Sequence, residues 1–501
     1  MNSTVKKTSL NIVTSFAGQI LTIALGILIP RLFILSFGSE VNGFISSINQ
    51  VFVYVALLEA GVGSASLQAL YYPLAHNNRQ QINRVLSATH HFYKRTGFFY
   101  LLIIIVLAFV YPLVIVSNLN YWVMCVIILI IGVGGAFPYF FNAKYMIYLR
   151  ADGKEYIINL ANQAKAVLLS LTKVILLLCG ANVILVESVY LILGLLYCAV
   201  ILIYIKKKYP WINIHEKPDN EAISQKNSVF IHQISTIIFK NTDILLLTFF
   251  CDLNTVSIYT LYKYLFSFIT TAINTFSNSI SFKLGQKSHD KEKLIVLHDI
   301  VDTFHTTLTF VLCAVALVFI HPFLTLYTDG MEINYILPWL PELMCIVDIL
   351  DCARIPSNNL ITYSGHFKQT QWRSIMESAI NLCSSIALVL VWGIYGVIAG
   401  TILALVYRTN DIIIYANTKI LARSPWKTYR LWLVNSIFFC IIYFGANHFS
   451  LVFTGYVPMI LIAGIMALVL VPITLLVNYL INWKSGKELI GIVKEIMHRS
   501  H

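Results

Sequence analysis

The chain has 501 residues, 58% of them hydrophobic and only 12% charged, with a mean hydropathy of +0.76 and a net charge of +12. Soluble domains carry about 25% charged residues, so a soluble enzyme, a disordered chain and a secreted disulfide scaffold are excluded. The natural unit of counting is the membrane span of about 20 apolar residues.

At the N-terminus, MNSTVKKTSL leads into a long apolar stretch without a small-residue cleavage site, which predicts a retained first span and not a signal peptide. Apolar runs separated by polar turns predict fourteen spans, near 10–36, 43–72, 96–117, 121–148, 157–179, 184–205, 229–250, 255–281, 303–327, 337–362, 374–392, 396–417, 430–448 and 456–482. Runs such as LLIIIVLAFVYPLVIV (101–116) are apolar on every side. Barrel strands alternate, so these spans are helices. With the N-terminus inside, 27 of the 35 Lys and Arg fall in cytoplasmic segments, eight within spans and none in an outer loop. That distribution predicts cytoplasmic termini and makes much of the positive charge an orientation signal, with no nucleic-acid partner implied.

Shifted by 212 residues, the sequence resembles itself: RLFILSFGSEVN (31–42) lies over DILLLTFFCDLN (243–254), and Gly153 over Gly365. Six spans per copy predict parallel halves. The expected fold is therefore an all-α integral membrane protein with two pseudo-symmetric six-helix lobes, 1–205 and 228–418, joined by a cytoplasmic linker at 206–227. Spans 13 and 14 (419–483) lie outside the repeat, and an amphipathic cytoplasmic tail (484–501) rests on the inner leaflet. Paired lobes with a midplane crevice are a transporter architecture that works by alternating access.

Ionisable groups at membrane depth cost about 2.5–3.5 kcal/mol each on insertion scales and usually face a protein interior or a wet cavity. The eight intraspan bases are Arg31, Lys144, Lys165, Lys173, Lys240, Lys263, Arg354 and Arg408. The N-lobe sets four of them against one well-buried acid, Glu59, with Glu187 near an outer end. In the C-lobe, acids sit close enough to neutralise the bases internally. Lys173, with no acid beside it on its own helix, is the leading cavity residue, and Lys263 is next. The plainer readings are snorkelling for Lys144 and Lys165, a local pair for Lys240 with Asp243, Arg354 with Asp351 and Arg408 with Asp411, and a structural pair for Arg31 with Glu59. A cationic cavity calls for an anionic cargo, and a lipid-linked sugar diphosphate fits one that opens towards lipid. Tyr145, Tyr148, Tyr259, Tyr262 and Trp372 offer faces for sugar rings or serve as core. The nine cysteines form no CxxC or Cys/His cluster and read as small core hydrophobes.

Three segments carry a family resemblance: PRLFILSFGSEVNGF (30–44), LLEAGVGSASL (57–67) and NTDILLLTFF (241–250). In them Arg31, Gly38, Glu40, Gly43 and Phe44, then Glu59, Ala60 and Gly61, then Asp243, fall on the pattern of the polysaccharide flippases of the multidrug/oligosaccharidyl-lipid/polysaccharide exporter superfamily. The chain resembles that family. Glu59 stands where the family often has Asp. The resemblance implies transfer of an undecaprenyl-diphosphate-linked oligosaccharide from the inner to the outer leaflet of a bacterial cytoplasmic membrane. That step serves capsule, exopolysaccharide, O-antigen or related polymer assembly, with polysaccharide polymerase and chain-length machinery as partners. The bases at membrane depth give the expected cargo-binding set of Arg31, Lys173, Lys263, Lys144, Lys240 and Arg354; of these the resemblance matches Arg31 to a basic cavity position, and it implies no cofactor beyond a coupling Na⁺ or H⁺. The resemblance suggests Asp243, Glu377, Asn381 and Thr401 for the ion, and interhelical hydrogen bonds are the alternative role of these four.

Two other classes are weighed. Multidrug exporters of the same superfamily mostly have twelve spans and take cationic drugs, against fourteen spans and a basic N-lobe here. A membrane polymerase or glycosyltransferase needs a large outer loop with catalytic groups, and the longest here (328–336) holds Asp329 and Glu332 with no base. No HExxH, GxSxG or phosphate-cradling loop is present.

Overall fold

A computed structural model describes residues 25–59, 62–222, 226–286, 291–364, 366–447 and 453–481. The start of the first predicted span, Gly365 and the predicted amphipathic tail lie outside the described residues. Those residues form helices and connecting turns, without strands. Ten helices among them are long and apolar enough to cross a bilayer, and Leu25–Phe37 is a shorter apolar helix. Of the other predicted spans, 229–250 and 255–281 are helical as well, and 337–362 is a broken helix.

The chain divides into two compact units, Met1–Ile258 and Tyr259–His501. The first contains α1 (Leu25–Phe37), α2 (Ser39–Val55), α3 (Val62–Ala75), α4 (Arg79–Val114), α5 (Tyr121–Phe141), α6 (Ala143–Ala151), α7 (Glu155–Leu178), α8 (Val183–Lys208) and α9 (Lys226–Phe250). Asparagines start three of these helices: Asn78, Asn120 and Asn182 accept N-terminal amides of α4, α5 and α8. The core lies around α4, α5 and α8, with Leu86, Ile104, Ile128 and Ile201 fully enclosed. On the opposite side of α4, Leu102, Val106, Phe109 and Leu113 are exposed, a surface that only lipid solvates without cost.

The second unit contains α11 (Lys291–Tyr327), α12 (Leu340–Ala353), α13 (Ile355–Tyr363), α14 (Phe367–Trp392), α15 (Ile394–Tyr415), α16 (Trp426–Asn447) and α17 (Tyr456–Ile481), while α10 (Leu253–Gln286) runs through the boundary. Its hub is α11, which packs on α12, α13, α16 and α17. α14 and α15 cross closely because Gly396 and Gly400, four residues apart, lie against the Leu388 backbone and Ser385. This is the small-residue contact that lets membrane helices approach.

Helix limits repeat at the predicted shift. The break between α5 and α6 falls at Asn142 and that between α12 and α13 at Arg354, 212 residues on. α6 and α13 end at Ala151 and Tyr363, and α7 and α14 begin at Glu155 and Phe367, again 212 apart. Gly153, one of the matched residues, has φ +69°, the left-handed turn that closes α6. Another motif glycine, Gly43, touches the backbone of Leu253 at the start of α10, so a side chain there would push the two helices apart. The repeat boundary and the packing boundary differ: α9, first helix of the second copy, packs on α2 and α3. The cysteines are all free. Five are buried as expected of core residues, but Cys179, Cys383 and Cys440 are exposed.

Candidate functional site

In the N-terminal unit the basic residues meet different surroundings. Lys173 on α7 is paired at 2.7 Å with Glu187 of α8, whose side chain is 5% exposed. This corrects the reading of Lys173 as the leading cavity base: its own helix has no acid, but the neighbouring helix supplies one. Lys144 is buried at the start of α6 and donates to the carbonyls of Phe140 and Phe141, both at 3.3 Å. Those carbonyls are left over because α5 ends there, so the ammonium caps the end of the helix. Lys165 on α7 is half-buried between two α8 rings, 4.8 Å from the centroid of Tyr190 and 5.6 Å from that of Tyr197. Tyr197 also donates to Met146 of α6, and Lys144 lies 4.8 Å from the Tyr145 ring. α6, α7 and α8 thus assemble a patch of two lysines and three tyrosines. No carboxylate among the described residues pairs with Lys144 or Lys165. α7 further leaves Asn159, Asn162 and Gln163 exposed, polar groups suited to a wet surface.

The other residues of this unit are spread along the first, second and ninth helices. Arg31 is half-buried on α1, and Glu59 is half-buried in the one-turn 3₁₀ segment that follows α2. Glu40 accepts from Ser117 (2.9 Å) and the Asn118 amide (2.7 Å), tying the α1–α2 turn to the end of α4. Lys240 is exposed on α9, whereas Asp243, one turn later, is 4% exposed. A seam of hydroxyls joins α2 to α9: Ser47 bonds Thr248 (2.6 Å) and Tyr111 (2.5 Å), and Tyr54 bonds Thr242 (2.7 Å). An apolar pocket of about 530 Å³ opens beside Tyr54, between α2 and α4.

The C-terminal unit holds a neutral network. Arg354, at the α12–α13 break, contacts Asp351 (2.5 Å) and Glu377 (2.7 Å). Arg408 contacts Glu377 (3.4 Å) and Asp411 (2.7 Å), and Arg373 pairs with the same Asp411. Three guanidiniums face three carboxylates, so Arg354 brings no uncompensated charge to a cavity. Glu377 lies between two arginines, and its charge is balanced without a bound cation. Asn381 donates to Thr401 at 2.9 Å, so Glu377, Asn381 and Thr401 meet on α14 and α15, while Asp243 belongs to the other unit. Lys263 lies 5.7 Å from the Tyr259 ring. Tyr148 and Tyr262 are fully enclosed core residues, and Tyr262 donates to the Tyr335 carbonyl. Sequence reasoning passed over Arg373, placed in a cytoplasmic turn, and the patch role of Lys165. The signal for Lys165 lay in Tyr190 and Tyr197, which are seven residues apart on one helix face.

Among solved structures, the chain is similar to the lipid II flippase MurJ in an inward closed conformation. The identity is 17% and the TM-score 0.68, over 93% of this chain and 99% of that one. It is also similar to an inward-facing multidrug resistance MATE family transporter of the MOP superfamily, with 14% identity and a TM-score of 0.65 over 80% of this chain and 95% of that one. The fold is that of the MOP superfamily. An outward-facing MATE transporter of that superfamily matches at 13% identity and a TM-score of 0.55, over 81% and 94% of the two chains. No protein-family model and no curated protein matches the sequence. Within this fold the α6–α8 patch is the strongest candidate site, because it combines basic residues that have no carboxylate partner among the described residues, aromatic faces and exposed amides.

Proposed function

We propose that the protein is a flippase that moves an undecaprenyl-diphosphate-linked oligosaccharide from the inner to the outer leaflet of the bacterial cytoplasmic membrane, with both termini cytoplasmic. The observation that carries this reading is the α6–α8 patch. Lys144 is taken up by the end of α5, whereas Lys165 is half-buried against tyrosine rings and is the base this reading assigns to an anion. Lys165 supplies an ammonium for diphosphate oxygens, and Tyr190 and Tyr197 supply faces for sugar rings. The match to a lipid II flippase over 93% of the chain supports a lipid-linked cargo, since the MATE transporter leaves about a fifth of the chain unmatched.

A multidrug exporter is the second reading. It is favoured by the pairing of Lys173 and Arg354 with carboxylates, which lowers the positive charge offered to an anion. Deleting the gene and identifying the accumulating compound separates the two. A flippase deletion accumulates a lipid-linked sugar diphosphate inside the cell. A deletion that leaves lipid-linked sugars unchanged and sensitises cells to cationic dyes selects the exporter.

A further inference from the structure

α11 carries His298, Asp302, His305 and Thr309 at spacings of four, three and four, one face of a helix. All four are buried, with His298 and Asp302 3% exposed or less. The face climbs about 10 Å from His298 to His305. One turn away, Asp299 is neutralised by Arg423 (2.6 Å) and Lys427 (2.5 Å). Asp302 pairs with no cation among the described residues: its oxygens accept from Thr428 (3.2 Å) and Thr306 (3.5 Å). Neither ring nitrogen of His298 or His305 has a hydrogen-bond partner among the described residues.

Simple helix-to-helix adhesion looks different on another face of the same turns. There Asn478 of α17 bonds Thr307 of α11 and Asn435 of α16, and its amide is satisfied. A buried imidazole without partners leaves its ring nitrogens desolvated and uncompensated. Two of them flanking a carboxylate with no ion-pair partner among the described residues, inside a membrane-spanning unit, call for an exchangeable proton. The three groups are not arranged to hold a metal ion.

We propose that His298, Asp302 and His305 form a proton-binding site on α11, reached from the cytoplasmic end past Asp299, and that its loading accompanies the transport cycle. The Asp302 carboxylate takes up the proton and becomes the neutral acid, and the imidazoles pass the proton to and from it. The surrounding charges are few. Arg423 and Lys427 arrive from the turn before α16 and from its first turn, and both bind Asp299. α12 contributes Asp348 and Asp351, the latter held by Arg354. α13 contributes no charged side chain, and α17 contributes Asn478 and Tyr479, whose hydroxyl bonds the Ile300 carbonyl. Only the coupling to transport rests on the transporter reading, and proton binding stands apart from it.

The test is an infrared pH titration of the purified full chain in lipid nanodiscs, following the protonated-carboxyl band. The wild type shows a carboxyl that takes up a proton. Asp302→Asn loses this band and Asp299→Asn keeps it. His305→Gln keeps the band but moves its midpoint by about one pH unit, a tenfold change in proton affinity. An Asp302→Asn spectrum that titrates like wild type overturns the site, as does a His305→Gln midpoint that stays in place. In liposomes containing a fluorescent undecaprenyl-diphosphate sugar, Asp302→Asn abolishes the acceleration produced by an imposed pH gradient. Acceleration that persists in this variant removes the coupling, while a wild type that never moves the lipid condemns the flippase reading and leaves the titration intact.

Discussion

Removing one partner of a buried ion pair leaves the other charge stranded, at a cost of about 3–5 kcal/mol. Lys173→Ala strands Glu187 and is therefore expected to lower the thermal unfolding temperature sharply in detergent, while Lys173→Ala with Glu187→Ala recovers most of the loss. Equal unfolding of the single and double variants would show that the pair does not hold α7 to α8. Lys165 behaves differently, because its partners are neutral rings. Lys165→Gln should keep the unfolding temperature within a few degrees and reduce export of the lipid-linked cargo at least tenfold, read as intracellular accumulation. The contrast between these lysines was not legible in the sequence. Both lie on one amphipathic helix, and their fates are decided by which residue of α8 faces each: Glu187 for one, Tyr190 and Tyr197 for the other. In the same way the sequence spacing exposed the local pairs Arg354–Asp351 and Arg408–Asp411. It could not reveal that Glu377 bridges both arginines from a third helix.

At the level of elements, close crossings and docked turns make separate predictions. Gly400→Leu drives a side chain into Ser385 and should abolish the monodisperse peak on size-exclusion chromatography. Gly464→Leu on α17, where a Cβ meets open space, should leave the peak unchanged. The linker expected at 206–227 is partly pinned to the first unit. Trp211 stacks under Arg79 and its carbonyl accepts from Asn83, the Asn213 amide donates to Asn83, and Asp219 accepts from Gln81 (2.8 Å). Gln81 and the Ala222 amide hold the Asp219 carboxyl below its ordinary value. A depressed carboxyl stabilises docking above its unfolded pKa, about 3.9, and that contribution disappears as pH falls through the lower folded value. Hydrogen–deuterium exchange of 209–222 should therefore stay slow at neutral pH, speed up on acidification below about pH 4, and already be fast at pH 7 in Asn83→Ala. Slow exchange in that variant would place the anchor elsewhere. Lys154 has the opposite sign: hydrogen bonds to Asp152 and Tyr209 hold its ammonium above the usual lysine value. Its contribution is complete below the unfolded value, about 10.4, and fades only as pH rises beyond it. Helix positions were largely legible because apolar run lengths fix them. The breaks at Asn142 and Arg354 were missed because 121–148 and 337–362 were each read as one span in spite of the polar residues inside them. Their causes are local: Pro356 has no amide to continue α12, and Pro138 sits in the last turn of α5, whose free carbonyls Lys144 then caps.

For the whole molecule, the repeat detected from two short matches is written into the helix limits, and an all-α membrane fold of paired copies follows from length, hydropathy and that symmetry. Cargo class is a question of charge at membrane depth, which pairing between helices largely decides. With Lys173 and the C-terminal arginines paired to carboxylates, the proposed anion site rests on Lys165. The most direct measurement reconstitutes the purified chain in liposomes with a fluorescent undecaprenyl-diphosphate oligosaccharide in one leaflet and follows its exposure in the other. Protein-dependent transfer that is lost in Lys165→Gln and retained in Gly464→Leu is the expected result. No transfer by the wild type, together with movement of a cationic dye by the same liposomes, would contradict it.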